Sequence, residues 1–267
     1  MPGVAIFGIT GRMGQALLRA LAEQPDGALS LSGAIASTQS RSLGADAALD
    51  GAAPTGITIT ADLAAGLRAA GVALEFGAAS GVAAHALACA DAGVSLLVGT
   101  TGFDAATRAV LEAAAARIPV LIAPNTSLGV NVLLALAASA ARALGSGYDI
   151  DIHEVHHRAK RDAPSGTALK IGEIVAGARG ASLADVRYDA LAQPGARAAG
   201  RIGFSTQRAG DIVGDHTVSF SIAGERLEIT HRATDRMTFA RGALRAAHWL
   251  IGRPAGLYAM EDLLKAP

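Results

Sequence analysis

The residues best suited to chemistry in this 267-residue chain lie between Glu154 and Ala168, in the run Glu-Val-His-His-Arg-Ala-Lys-Arg-Asp-Ala-Pro-Ser-Gly-Thr-Ala. Two imidazoles (His156, His157), Lys160, two guanidinium groups (Arg158, Arg161) and two carboxylates (Glu154, Asp162) lead into Pro164, Ser165, Gly166 and Thr167. Proline, a hydroxyl cap and free backbone N–H groups are the grammar of a helix start. Such a start is an anion site, because its N–H groups and partial positive charge point at whatever lies before it. Cations and helix amides aimed at one place suit a small substrate carrying carboxylates, and a His or Lys there could also move a proton. The alternative is a solvated, charged loop.

The same residues contain His153-Glu154-Val155-His156-His157, a literal match to the H-E-x-x-H zinc protease motif. That motif works only on a helix, where both histidines share a face. Here Tyr148-Asp-Ile-Asp-Ile152 alternates apolar and polar residues, which is a strand signal. On a strand rising about 3.3 Å per residue the two histidines stand roughly 13 Å apart, too far to share a zinc at about 2 Å. No metal site is expected.

A second set of chemically capable residues lies at the other end of the chain. The apolar run 4–7 meets Gly8, Gly11 and Gly14 before a helical pattern begins, giving strand, glycine turn and helix. The spacing is G-x-x-G-x-x-G, one residue longer in its first turn than the usual dinucleotide fingerprint. Glycines there let backbone approach a pyrophosphate at a helix N-terminus, while a plain tight turn is the other reading. Gly99-Thr100-Thr101-Gly102 and Ala123-Pro124-Asn125-Thr126-Ser127 also follow apolar strands. Right-handed crossovers bring such turns to one sheet edge, and together they describe a nucleotide cleft.

The elements that must position these residues follow from periodicity. Strands are expected at 29–35, 57–60, 72–76, 95–98 and 120–122, with helices at 63–70, 81–92 and 105–117. This is the βα rhythm of a doubly wound parallel sheet. After Asn125 the character changes: 130–144 is apolar almost all round and reads as a buried helix opening a second unit. The stretch 176–200, rich in Gly, Ala and Arg and containing Pro194, reads as a loop or weakly structured connection. Residues 216–222 and 226–231 alternate strictly about Ala223-Gly224-Glu225, an antiparallel hairpin with one polar face that meets water or another copy of the chain. The expected fold class is α/β: a Rossmann-like doubly wound parallel sheet, plus a second α+β domain with a mixed or antiparallel sheet. A dinucleotide-binding domain is expected over 1–127 and a substrate-binding and oligomerisation domain over 128–237, with the helical end 238–267 packing back on the first.

Lys and Arg number 23, as do Asp and Glu, and no basic tail or stripe is present. That balance argues against nucleic acid or an anionic membrane as partner. The single cysteine, Cys89, lies in an Ala-rich helical pattern and excludes an internal disulfide framework, so a buried inert thiol in a reducing compartment is expected. No signal segment precedes the run 4–7, and apolar runs such as 132–141 are short for a bilayer, so the expectation is a cytoplasmic protein.

In these stretches the chain resembles the 4-hydroxy-tetrahydrodipicolinate reductase family, also called dihydrodipicolinate reductase, of the diaminopimelate and lysine pathway. The resemblance runs essentially end to end. It rests on the signature E-x-H-H-x-x-K-x-D-A-P-S-G-T-A, complete over 154–168, on the glycine-bearing turns, and on Asn125-Thr-Ser-Leu-Gly-Val-Asn131. Arg208-Ala-Gly-Asp-Ile-Val-Gly-Asp-His216 and Gly224-Glu-Arg-Leu-Glu-Ile-Thr-His231 extend it. The resemblance implies reduction of 4-hydroxy-tetrahydrodipicolinate by NADPH or NADH, a small dicarboxylate as substrate, and a homotetramer assembled through the second domain's sheet. It implies that Gly8, Ile9, Thr10, Gly11, Arg12 and Met13 hold the pyrophosphate. Gly99, Thr100 and Thr101, with Ala123, Pro124, Asn125 and Thr126, then line the nicotinamide side. His156 and Lys160 match the family's proton donors, and His157, Gly166 and Thr167 its substrate-binding positions. Two departures stand out: Glu75-Phe76-Gly77 where the family often has Asp-Phe-Thr or Asp-Phe-Ser, and Thr126 where an aromatic often follows the Asn.

An NAD-selective fold usually ends its second strand on an acid, about 20 residues after the glycine loop, to bind the ribose hydroxyls. Here Ala36 stands at that place, followed by Ser37, Thr38, Ser40 and Arg41, candidate donors to a 2′-phosphate, so NADPH is the expected preference. Two other classes remain open on the residues: another two-domain nicotinamide-dependent reductase or dehydrogenase of a small dicarboxylate, and a non-enzymatic nucleotide sensor.

Overall fold

The computed structural model describes residues 1–24, 28–188 and 196–265. They fall into two units, Met1–Leu128 with Met237–Pro267, and Gly129–Arg236. In the first, strands and helices alternate as β1 (Gly3–Phe7), α1 (Arg12–Ala22), β2 (Ser30–Ile35), β3 (Ile59–Thr60), α2 (Leu63–Leu67), β4 (Val72–Glu75), α3 (Val82–Ala92), β5 (Ser95–Val98), α4 (Ala105–Ala115) and β6 (Pro119–Ile122). β4 and β5 are buried along their whole length, which is why they read as continuous apolar runs and not as alternations. The period of two along β1 sends Val4 and Ile6 to one core, with Leu17, Leu74 and Leu97, and Ala5 and Phe7 to another, with Leu96, Val98 and Leu111. Each fully buried Leu, Ile or Phe stabilises the unit by about 1.5–3 kcal/mol. Cys89 lies in the second of these cores, and burial pushes its thiol pKa far up.

The second unit contains α5 (Leu128–Leu144), β7 (Asp149–His156), α6 (Gly166–Ala178), α7 (Leu183–Val186), β8 (Arg187–Tyr188), β9 (Ile202–Arg208), β10 (Gly214–Ile222) and β11 (Glu225–Ala233). Its sheet runs β11-β10-β7-β9-β8 and is mixed. β10 pairs antiparallel with β11 and β7, whereas β9 pairs parallel with β7 and β8. His216 stands opposite His231 across the hairpin, which turns through Gly224 at φ +85°.

Three sequence expectations are corrected here. α5 is not buried all round: Val130, Leu133, Leu134, Ala137 and Ala141 enter the core with Ile150, Ile152, Val218 and Phe220, while Val132 and Leu136 are 41% and 51% exposed. By length and composition Leu128–Gly147 (20 residues, mean hydropathy 1.6) is long and apolar enough to cross a membrane, so the shorter run 132–141 understated it. Its buried stripe is nonetheless that of a helix packed on a sheet. Finally, the stretch 176–200 contains the end of α6, α7 and β8 before leaving the described residues, and Pro194 lies outside them. α7 is a single turn capped by Ser182, too short to show a period.

The chain then returns to the first unit through α8 (Met237–Leu250), β12 (Gly256–Tyr258) and α9 (Met260–Lys265). β12 extends the parallel sheet beside β6, giving the order β12-β6-β5-β4-β1-β2-β3. Ala240, Ala243, Leu244, Ala247, Leu250, Met260 and Leu263 complete the core that holds Val4, Ile6 and Leu17.

Candidate active site

In the first unit the two glycine-bearing turns and the turn 123–127 follow β1, β5 and β6, neighbours or near neighbours in one parallel sheet, so all leave at its C-terminal edge. Gly8 sits at φ +75°, a conformation that favours glycine, and its N–H donates to Ile35 O at 2.9 Å. A Cβ on Gly14 would come within 2.3 Å of Gly8 O, so only glycine lets α1 start this close to the loop. Gly11 caps α1 without a side-chain hydrogen bond, and the first turn holds no acidic residue. The N-terminal amides of α1 therefore keep their positive end for an anion, and Thr10, Gly11 and Arg12 are exposed beside it while Ile9 is buried. This cradle fits a pyrophosphate. Past β2, Ser37, Thr38 and Arg41 are exposed, Ser40 partly so, and the turn closes through Ser40 N–H on Ser37 O at 2.9 Å.

The other two turns use their hydroxyls inward. Thr100 Oγ1 is 3.2 Å from Glu75 Oε1 and from the carbonyls of Glu75 and Gly77, while Thr101 is exposed. Thr126 is buried and donates to Phe239 O on α8 at 2.7 Å, with Ala123 buried and Pro124 exposed near it. Asn125 Oδ1 accepts from Ser127 N–H at 2.9 Å. Thr100 and Thr126 thus spend their hydroxyls on the protein's own main chain and on Glu75.

In the second unit β7 carries the signature. His153 is exposed and bonded to Ser205, whereas Glu154 and His156 are buried, so H-E-x-x-H runs along β7 as far as His156, with His157 just past its end, and not on a helix. Glu154 Oε2 pairs with His156 Nδ1, and Oε1 accepts from Ser165 N–H at 3.2 Å and Arg208 Nη2 at 3.0 Å. Burial would raise the Glu154 pKa, but the Arg208 and His156 contacts outweigh it and hold the carboxyl below its ordinary range. His156 is shifted down, first by burial and then by Lys160 and Arg208, against the pull of Glu154. A Cβ on Gly214 would lie 2.9 Å from His156 Nε2, so glycine makes room for the ring.

Ser165 caps α6 by accepting from Ala168 N–H at 3.1 Å, and its Oγ also meets His216 Nε2 at 3.1 Å. His216 packs edge-on against His156, ring centres 5.1 Å apart, and burial together with that neighbour pushes its pKa down to about 4. Gly166 is exposed at the helix start, with Thr167 and His157 half-buried. Lys160 Nζ is 2.9 Å from Asp162 Oδ2 and about one-fifth exposed, and Arg208 also donates to Asp162 O at 2.6 Å. The stretch 154–168 is therefore one hydrogen-bonded piece, with an ammonium and a helix N-terminus at its surface and imidazoles beneath.

Glu154, His156 and His216 offer atoms within 4.8 Å of one another, a spacing that could hold a metal ion. Each is already engaged, and Arg208 bonds the carboxylate that would have to face a cation. Sequence reasoning named His156, Lys160, His157, Gly166 and Thr167 and read a hydroxyl cap at the helix start, which is Ser165, but gave no role to Glu154, Arg208 or His216 as partners. One signal was visible: His216 occupies an apolar-face position of its strand, between Gly214 and Val218.

Residues 3–126 match the family profile described as dihydrodipicolinate reductase, N-terminus, and residues 129–264 match dihydrodipicolinate reductase, C-terminus. Among curated proteins, 4-hydroxy-tetrahydrodipicolinate reductase of Anaeromyxobacter dehalogenans is 47% identical over 266 residues, covering 99% of this chain and 98% of that one. The protein of that name from Thiobacillus denitrificans is 50% identical over 262 residues, covering 98% and 97%. Among solved structures, dipicolinate-bound dihydrodipicolinate reductase from Paenisporosarcina sp. TG-14 superposes with a TM-score of 0.78 at 21% identity, covering 98% of this chain and 99% of that one.

Proposed function

This chain belongs to the dihydrodipicolinate reductase family, and on that premise we propose how its residues divide the reduction of 4-hydroxy-tetrahydrodipicolinate in diaminopimelate and lysine biosynthesis. It is an NAD(P)H-dependent oxidoreductase: once the 4-hydroxyl group of the substrate has left as water, a bound nicotinamide would supply hydride to the ring carbon that is then conjugated with the ring imine. Negative charge then develops toward the ring nitrogen. Lys160, whose ammonium is partly exposed, meets that charge and gives the proton. His156 is the second proton-handling group, oriented through Nδ1 by Glu154. The α6 N-terminus, with Gly166 and Thr167, takes a substrate carboxylate, and His157 assists. Gly8 to Met13 hold the pyrophosphate, and the turns at Gly99–Thr101 and Ala123–Thr126 line the nicotinamide side. The observation that carries this reading is the buried Glu154 carboxylate, which ties the His156 ring to the cap of α6.

A dicarboxylate substrate is supported by the dipicolinate named with the Paenisporosarcina structure. NADPH is the preferred cofactor on this reading, because residues 36–41, directly after β2, hold no carboxylate and include Ser37, Thr38, Ser40 and Arg41. The exposed Ile222 and Leu227 of the hairpin support assembly of a homotetramer through that sheet.

The test is oxidation of NADPH when the substrate is made in situ from pyruvate and aspartate semialdehyde. Lys160→Ala should lower kcat about 10²-fold or more with cofactor binding retained. No substrate-dependent oxidation by the unaltered protein ends the reading; an unchanged kcat removes Lys160 from it. The same assay with NADH settles the preference, an advantage for NADH counting against it, and light scattering that finds a monomer removes the tetramer.

A further inference from the structure

Glu75 ends β4, a strand buried on both faces, and its own side chain is fully buried. Oε1 accepts from Gly77 N–H at 2.6 Å and from the Thr100 hydroxyl at 3.2 Å, while Oε2 pairs with His85 Nδ1 on α3. Its main-chain carbonyl accepts from Gly99 and Thr100 N–H at 2.9 and 3.1 Å. One residue thus fixes the turn after β4, the turn after β5 and a side chain of α3. His85 in turn stacks on Phe7, centroids 4.2 Å apart, and Phe7 is the residue before Gly8.

The turn after β4 also leans on the glycine loop. A Cβ on Gly8 would lie 2.8 Å from Gly77 Cα, and a Cβ on Gly99 would lie 2.1 Å from the Phe76 ring. At Gly77 the obstacle is different: an added Cβ would meet Glu75 Oε1 at 2.9 Å, with Gly8 N 3.8 Å away. The space a side chain at 77 needs is the space the Glu75 carboxylate fills, so the residue types at 75 and 77 depend on each other.

We propose that Glu75 and Gly77 form a coupled pair that positions the turn after β4 against the glycine loop and so sets the grip on the dinucleotide. Glu75 is a positioning residue, since its carboxylate is spent on Gly77, Thr100 and His85. The inference rests on the reading of these turns as the cofactor cleft. An aspartate at 75 is one methylene shorter, and it vacates the volume in which a serine hydroxyl at 77 could take over the contacts.

The experiment compares the full-length protein with Glu75→Asp, Gly77→Ala, Gly77→Ser and the double variant Glu75→Asp/Gly77→Ser. It measures Kd for NADPH from reduced-nicotinamide fluorescence, KM for the dicarboxylate substrate, and Tm. Each single variant should weaken NADPH binding about 10-fold with substrate KM unchanged, and the double variant should return to within about 3-fold of the unaltered protein. Gly77→Ala is the mild arm, displacing the carboxylate by a single methyl. If a single variant does not fold, a folded, NADPH-binding double variant is itself the coupling. Additive losses in the double variant, an unfolded double variant, or lower Tm with NADPH affinity unchanged would overturn the proposal. Failure of the unaltered protein to bind reduced nicotinamide would instead sink the cleft reading and this inference with it.

Discussion

Each unit of the molecule contains a fully buried carboxylate that gathers a backbone N–H, an imidazole Nδ1 and a third donor. Glu75 takes Gly77 N–H, His85 and the Thr100 hydroxyl; Glu154 takes Ser165 N–H, His156 and Arg208. The geometry is nearly the same, and the third donor differs. With a hydroxyl as third donor, the Glu75 carboxylate works on the turns after β4 and β5. A guanidinium makes the Glu154 cluster an ion pair taken out of water, with the imidazoles of His156 and His216 beside it. The same device fixes backbone in one unit and sets charge in the other.

The comparison is tested hardest by making one change at both sites. Glu154→Gln removes the charge facing Arg208, and breaking a buried pair on one side costs about 3–5 kcal/mol. Glu75→Gln keeps an acceptor for Gly77 and Thr100, so its cost should be near that of one hydrogen bond, about 1 kcal/mol. Denaturant unfolding of both variants measures this, and equal costs would show that the third donor does not matter.

A smaller effect should come from pH. The folded His216 pKa, about 4, lies below the ordinary value of 6.5. Above that ordinary value the ring is neutral folded and unfolded, and stability is intact. As pH falls toward 4 the unfolded chain takes up the proton first, so stability drops and levels off only when the native ring protonates. At about 1.4 kcal/mol per unit the loss is on the order of a few kcal/mol. His216→Asn should flatten the stability profile over that window, and an unchanged slope would place the acid sensitivity elsewhere.

Smallest of all should be loss of one neutral donor or cap. Thr100→Val in the first unit and Ser165→Ala in the second should each cost about 1 kcal/mol. Ser165→Ala should additionally raise the substrate KM, since it loosens the helix start, whereas Thr100→Val should alter cofactor binding. Identical kinetic profiles would mean the two clusters do not serve different ligands.

Much of the parallel sheet was legible in sequence, because β4, β5 and β6 are short apolar runs separated by helical patterns and the glycine loop marks the first crossover. β12 was not, since three residues after Pro254 carry no period, and its place is set by pairing with β6. α5 misled because composition does not say how many sides of a helix find a partner. In the site, the signature gave the residues of one stretch, but the Arg208 and His216 contacts span 54 and 51 positions of sequence. Such pairings are products of strand order, and β9 and β10 flank β7 only once the mixed sheet has formed. Glu75 left a trace: a carboxylate closing an otherwise apolar strand.

The return of α8 and α9 to the first unit gives that unit a history in time. Its core needs Leu244, Leu250, Met260 and Leu263 alongside Val4, Ile6 and Leu17. On a ribosome residues 4–17 must therefore wait for residues 244–263, while residues 129–236 are all available before the latter. Cotranslational order is thus reversed relative to sequence order: the unit 129–236 can close first, and the glycine loop gains its finished scaffold only when synthesis has passed α9.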